Sequence, residues 1–399
     1  MIAGGDGKAM LEGMRVIDLT SMVFGPYCTQ ILGDFGAEII KVEMPGGDTQ
    51  RYTGKPAASR AMSPSHIAFN RGKKSIVLDL KQDADAKILR GLLVGADAMV
   101  HNIRGEAIER LGFGYDAVRA IAPDIIYAHL VGYGSGGRYA GLQAFDDTIQ
   151  AASGTTTLLG RVDGDPTPRY LPTLMADKVA GLHGAYAVMA ALIHRLRTGR
   201  GQHVEVPMFE LFSGFMMKEH LGGQTFDPPV GPPGFTRQLD PLRQPFAAKD
   251  GHISIVPFRL EQFAEMVALL GDEAFAAQER FATPRGIFRG QGELQKRMAE
   301  LTPDFTIAEL EGMCRKHSIP AMKVSDFTEV LDDPHLAESG LIQRRNHPSE
   351  GGVVELREPS RFGDWEHELG GHAPLPDEHG EELRAEAAAN LAKHSNQAG

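Results

Sequence analysis

Asp177 stands at the head of a run of small residues and helix formers, KVAGLHGAYAVMAALIHRLRTG, with a β-type stretch, QHVEVP, close behind it. A carboxylate at a helix start has two roles open to it. It can cap the first turn by accepting amide N–H groups, or it can act as a nucleophile that carries an acyl group. Val179, Leu182, Tyr186, Met189 and Ile193 recur at helical spacing and are expected to face a core. Gly181, Gly184, Ala185 and Ala187 form a slim face that lets another backbone come close. His194, Arg195 and Arg197 fall in the last turn, where cations suit the macrodipole, and Gly199 is the expected stop.

Cations form a second set. Arg71, Lys73 and Lys74 crowd the turn that enters a strand at Ser75–Leu80. With Arg51 and Arg104 they can grip phosphates through charge-assisted bonds, or they can form an ordinary solvated turn. Asn102, Ile103, Arg104 and Gly105 make a loop at the end of the strand AMVHN. That is the usual ligand crevice of a parallel sheet, with a plain strand-to-helix turn as the alternative. Asp146 and Asp147 open the helix AFDDTIQAASG. Sequence neighbours at a helix start do not face each other, so capping rather than paired acid–base chemistry is expected of them. Cys28 and Cys314 lie far apart and outside any metal-ligand spacing. They point to a reducing cytoplasm, with no metal site and no disulfide framework.

The elements that must position these groups follow from pattern. RVIDL is a short apolar strand, a loop holding Gly25 and Pro26 follows, and a helix from Tyr27 to about Phe35 ends at Gly36 before the strand AEIIKVE. Strand–helix–strand at this spacing is a βαβ unit and implies a parallel sheet. Gly25 stands alone in the first turn, so the G-x-G-x-x-G nicotinamide fingerprint is absent. The 399 residues suffice for two domains. The net charge of −11 gives no global attraction to nucleic acid or an anionic membrane, so any phosphate must be held by local cations. No apolar run is expected to be long enough to span a bilayer, and MIAGGDGKAMLEG lacks the apolar centre of a leader peptide. Beyond residue 220 the pattern breaks in GGQTFDPPVGPPGFTRQLDPLRQPF, then resumes as a hairpin and three helical segments. The expected division is a large domain over 1–220, a linker over 221–245, a small α+β domain over 246–327 and a return to the large domain over 328–399.

Several of these stretches together resemble the family III CoA-transferases. They are LEGMRVIDLT, GPYCTQILGDFGAEIIKVEMPGGD, the N-x-R and R-L-G pieces holding Asn102, Arg104 and Arg110, and RTGRGQHVEVPMFE behind the Asp177 helix. The resemblance implies a Rossmann-like α/β large domain built from both chain ends, a smaller inserted α+β domain and an interlocked homodimer. It makes Asp177 the carboxylate that attacks an acyl thioester. It places Val23 at the thioester end of CoA, with Arg51, Lys73, Lys74, Asn102, Ile103, Arg104 and Arg110 as further CoA-binding residues. The substrates would be an acyl-CoA and a carboxylic acid, with coenzyme A as substrate and no tightly bound cofactor. The family's racemase branch has His where this chain has Phe145. Its oxalate-using branch has Gln where this chain has Val23. An acyl-CoA racemase or isomerase, and a non-catalytic nucleotide-binding protein on the same scaffold, remain the alternatives. Residues 222–236 read either as a linker or as a lid.

Overall fold

Apolar runs with little polar alternation make strands covered on both faces. Six of them form one sheet: β1 (Arg15–Leu19), β2 (Glu38–Glu43), β3 (Lys74–Val77), β4 (Ala98–His101), β5 (Ile126–Val131) and β6 (Gln202–Pro207). Every pairing is parallel, and the order is β3-β2-β1-β4-β5-β6. Ile17 of β1 lies between Ile40 and Met99, and Asp18 lies between Lys41 and Val100. The order reverses between β1 and β4, so the loops that leave their carboxyl ends diverge and open a crevice there. The computed structural model describes residues 9–363 and 365–397. Residues 1–8 of the stretch read for a leader peptide lie outside that range.

Alternate side chains of each strand point to opposite faces. Val16, Val100 and Ala128 therefore join one core with Cys28, Leu32, Ala180 and Leu192, while Ile17, Met99 and Tyr127 join another with Ile76, Leu89 and Leu383. The C-terminal helix Gly380–Gln397 lies on the helix Asp83–Leu93 so closely that a Cβ on Gly91 would stand 2.4 Å from the Ala387 carbonyl oxygen. The turn before it is tied to β3, where the Val77 N–H donates to Asp377 at 2.8 Å and the His379 N–H donates to the Ser75 carbonyl at 3.0 Å.

The chain divides into two compact units. The larger holds the residues up to Thr156, Arg169–Lys218 and those from Pro334 onward. The smaller holds Thr157–Pro168 and Glu219–Asp333, so the segment 221–245 expected as a linker clusters with it and the return begins at Pro334. In the smaller unit β7 (Phe246–Ala248), β8 (Gly251–Ile255) and β9 (Ala321–Lys323) form an antiparallel sheet. The helices Glu261–Leu269, Pro284–Leu301 and Ile307–Lys316 share a core with it through Phe246, Ile253, Met266, Leu294, Leu310 and Cys314.

The 24-residue helix Met175–Thr198 corrects two expectations. By length and composition it could cross a bilayer, yet it packs as a core helix on the helix Phe24–Asp34, with Gly184 against Cys28. Its buried face is mostly small, through Ala176, Ala180, Gly181, Gly184, Ala185 and Ala191, with Val188, Leu192 and the expected Val179 beside them. Leu182, Tyr186 and Ile193, expected in the core, are 49%, 51% and 56% exposed. The close approach of two helices puts small residues where they touch and leaves Leu182, Tyr186 and Ile193 outside the contact.

Candidate active site

The crevice at the β1–β4 switch is held residue by residue. Past β1, Asp18 accepts the Thr20 N–H at 2.8 Å and its hydroxyl at 2.5 Å. Asn102, from the loop after β4, accepts the Ser21 N–H at 3.0 Å and donates to the Ser21 carbonyl at 2.9 Å. One amide side chain thus clasps the two lips together. Asp48 accepts the Met22 N–H at 3.1 Å. Val23 is buried and precedes the helix Phe24–Asp34, which begins three residues before the expected Tyr27. Gly25 is required at that start, because a Cβ there would stand 2.3 Å from that of Thr20. On the other lip His129 Nε2 donates to the Ile103 carbonyl at 2.9 Å, which fixes its tautomer, and its ring stacks on buried His101 with centroids 4.3 Å apart.

The cations expected at CoA separate into two groups. Arg51 is fully buried, with Nε and Nη2 on the two oxygens of Glu43 at 2.7 and 2.6 Å and Nη1 on the Pro374 carbonyl at 2.9 Å. Lys73 is buried as well, and the three N–H groups of its ammonium are shared among four acceptors, Asp18 at 3.0 Å, Thr29 at 2.8 Å, Asn70 at 3.0 Å and the Pro26 carbonyl at 3.0 Å. Lys74 lies on the surface between Glu38 at 3.0 Å and Glu382 at 2.9 Å. The expectation that Arg51 and Lys73 face a ligand's phosphates is therefore corrected, since their donors are spent inside the fold. Arg104 and Arg110, at the two ends of the short helix Gly105–Arg110, are exposed.

Beneath the crevice these buried cations alternate with acids. Lys41 donates to Asp48 at 3.1 Å and to the Thr20 carbonyl at 2.9 Å. Burial alone would raise the Asp18 carboxyl, but Lys73 and Lys41 outweigh it and hold Asp18 below the usual carboxylate range. Against the same cost of burial, the bonds from Arg51 and the charge of Lys41 pull Glu43 down to about 2. Burial brings Lys73 down to about 8, which leaves it cationic at neutral pH.

Asp177 is set differently. The helix starts at Met175 and its cap position is Leu174, so Asp177 lies inside the first turn rather than at the cap. Its own N–H donates to Asp146 at 3.0 Å, and the Lys178 N–H donates within the helix to Leu174. Of the two roles open to Asp177 in the sequence, capping this helix is therefore not one it takes. Burial first, then Asp146 and Asp147, push the Asp177 carboxyl up to about 7. Its place in the fold follows from the two glycines behind it. A Cβ on Gly181 would stand 3.0 Å from the Phe24 carbonyl, and one on Gly184 would stand 3.1 Å from the Cys28 sulfur. The two helices thus run in the same sense with Gly181 level with the start of the helix Phe24–Asp34, and Asp177, about one turn before Gly181, lies beyond that start on the crevice side of the sheet.

A model of the CoA-transferase family III matches residues 11–380. The chain belongs to the family III CoA-transferases. It is 31% identical to an acetyl-CoA:oxalate CoA-transferase from Acetobacter aceti, over 97% of this chain and 98% of the relative. It is 30% identical to a succinate–glutarate CoA-transferase from Agrobacterium fabrum, over 87% of each chain. A solved CaiB/BaiF family protein from Brucella suis superposes with a TM-score of 0.81 at 29% identity, covering 95% of this chain and all of the other.

For this CoA-transferase, sequence reasoning missed two residues at the site. Asp146 was assigned to capping, but the cap position of its helix Asp146–Ala152 is Phe145, and Asp146 is buried with one oxygen on Gln150 and the other on the Asp177 N–H. The pair Asp146–Asp147 ahead of an apolar helix was the available signal, and only the fold shows that it meets a third acid. Asp48 was passed over as part of a Gly-rich turn. Of the residues expected at CoA, Asn102 is bonded to Ser21, two positions before Val23, and Ile103 follows it in the same loop.

Proposed function

We propose that this enzyme moves CoA from an acyl-CoA donor to a carboxylic acid through covalent intermediates on Asp177. The observation that carries the reading is a half-buried carboxylate at the crevice end of the sheet, raised first by burial and then by Asp146 and Asp147. A carboxylate without an ion-pair partner keeps its nucleophilic oxygens available. Asp177 attacks the donor's carbonyl carbon, the C–S bond breaks, and a mixed anhydride and CoA thiolate result. The thiolate then attacks the Asp177 carbonyl, releasing the donor acid and leaving an aspartyl-CoA thioester. The acceptor carboxylate opens that thioester to a second anhydride and frees the thiolate again. Attack of the thiolate on the acceptor's carbonyl gives the new acyl-CoA and restores Asp177. Each attack builds an oxyanion, and the first amides of the helix Phe24–Asp34 are the donors best placed to meet it.

The names of the relatives make short dicarboxylates such as succinate, glutarate and oxalate the first acceptors to try. Arg104 and Arg110 are the exposed cations offered to the CoA phosphates. A racemase needs a base and an acid on opposite faces of the α-carbon, and Phe145 stands where that branch has its His. A second copy of the chain is the proposed cover for the outward stripe Leu182, Tyr186 and Ile193, and the cytoplasm is the proposed compartment. The test is a panel of acyl-CoA donors and acids read by mass spectrometry, followed by hydroxylamine trapping of the enzyme. Trapping at Asp177 alone is expected; label on Asp146 or Asp147, or full activity in Asp177→Ala, would sink the reading.

A further inference from the structure

Met22 is one of three non-glycine residues with positive φ among those described, at +69°. A residue with a Cβ pays roughly 1–2 kcal/mol to stand there, so something must hold it. The holder is Asp48. Its Oδ1 accepts the N–H of Met22 at 3.1 Å and that of Gln50 at 3.0 Å, while Oδ2 takes the Lys41 ammonium at 3.1 Å. Its own N–H is tied to Glu43 at 2.9 Å, so the whole residue is fixed from the end of β2. The three residues that lead from β1 into the helix are thus gripped from three directions. Thr20 is held by Asp18 and Lys41, Ser21 by Asn102, and Met22 by Asp48. Directly after Met22, at Val23, the chain turns into the helix whose first amides, on Phe24 and Gly25, precede Pro26 and lie at the crevice.

We infer that Asp48 is a positioning residue for the transfer reaction: by holding Met22 in the left-handed conformation it aims the first amides of the helix Phe24–Asp34 at the reacting carbonyl. This rests on the proposed Asp177 chemistry. Donors that meet an oxyanion only in the transition state change kcat rather than KM when they are misaimed. Its hold on Met22 is the Oδ1 bond to that N–H, which an amide oxygen at position 48 can also make, at the loss of the Oδ2 bond to Lys41, and a residue that adopts positive φ unaided makes that hold dispensable.

The test is steady-state transfer by the full-length enzyme, with an acyl-CoA and acid pair found in the donor–acceptor panel. Asp48→Ala is expected to lower kcat ten-fold or more with KM for the acyl-CoA within three-fold. Asp48→Asn is expected to retain at least a third of kcat. The decisive variant is Asp48→Ala combined with Met22→Gly, in which most of the lost kcat returns. Met22→Val with Asp48 intact covers the case in which Asp48→Ala fails to fold. A β-branched residue resists positive φ, so kcat should fall ten-fold; the added strain lowers the melting temperature somewhat, but Asp48 keeps its bond to Lys41 and the variant stays folded. Wild-type kcat in Met22→Val, or no recovery in a folded double variant, overturns the positioning role. Asp177→Asn, run alongside, distinguishes failure of this role from failure of the nucleophile assignment.

Discussion

Asp18, Glu43 and Asp48 lie enclosed under the crevice among Lys41, Lys73 and Arg51, each bonded to a cation. Asp177, at the same end of the sheet, is half-buried and has Asp146 and Asp147 as its charged neighbours. In the first group Asp18 is held below the usual carboxylate range and Glu43 is brought to about 2, while Asp177 is raised to about 7. The contrast teaches that burial by itself does not say what a carboxylate is for. A buried acid with a cation on its oxygens is committed to the fold. An acid crowded by other acids is left with free oxygens and a proton equilibrium near neutrality.

The largest effect expected from breaking this contrast is at Asp177. Asp177→Asn keeps the shape and removes the nucleophile, so kcat should fall by about 10³-fold or more. The same change should raise the melting temperature at pH 8. A raised folded pKa adds stability below the ordinary value near 3.8 and loses it as pH rises through about 7, so the wild type carries that cost at pH 8 and the amide does not. A lower melting temperature for Asp177→Asn at pH 8 would contradict the raised pKa.

Next in size is the buried set. Asp18→Ala leaves the Lys73 ammonium without its anion and should cost about 3–5 kcal/mol in denaturant unfolding. The pH dependence has the opposite sign to that of Asp177. The stability held by Glu43 is present above its ordinary value near 4.5 and is lost as pH falls towards about 2. An unfolding midpoint that stays flat between pH 5 and pH 3 would show that this acid is not held as described.

A smaller shift sharpens the comparison from the other side. Asp146→Asn keeps the acceptor for the Asp177 N–H and removes one like charge. The acid limb of kcat/KM, expected near pH 7, should move down by up to about one pH unit. An unmoved limb would remove Asp146 from the electrostatics of the site. The smallest effect is at the exposed cations. Arg104→Ala should raise KM for acyl-CoA about three- to ten-fold with kcat unchanged, and less so at high salt. If calorimetry shows wild-type CoA binding in Arg104→Ala and Arg110→Ala, the phosphates are held elsewhere.

Local pattern carried much of this protein. The runs RVIDL, AEIIKVE and AMVHN read as strands, and the strand–helix–strand spacing of the first two implied the parallel sheet that forms. Small residues behind Asp177 announced a tightly packed helix, and Asn102 at a strand end announced the crevice lip. These are properties of neighbours in the chain, and periodicity records them. Tertiary structure alone decided which charges are buried. Arg51 meets Glu43 and the Pro374 carbonyl, and Lys73 meets Asp18 across 55 positions of sequence. Nothing local distinguishes those cations from Arg104. The same holds for Asp146, which reaches Asp177 across 31 positions, and for Leu182, Tyr186 and Ile193, which helical spacing assigned to the core. A repeat of 3.6 residues shows that a helix has a face, but which face turns inward depends on the distance to the next helix. Here Gly181 and Gly184 let that helix come so near that only small residues fit between them.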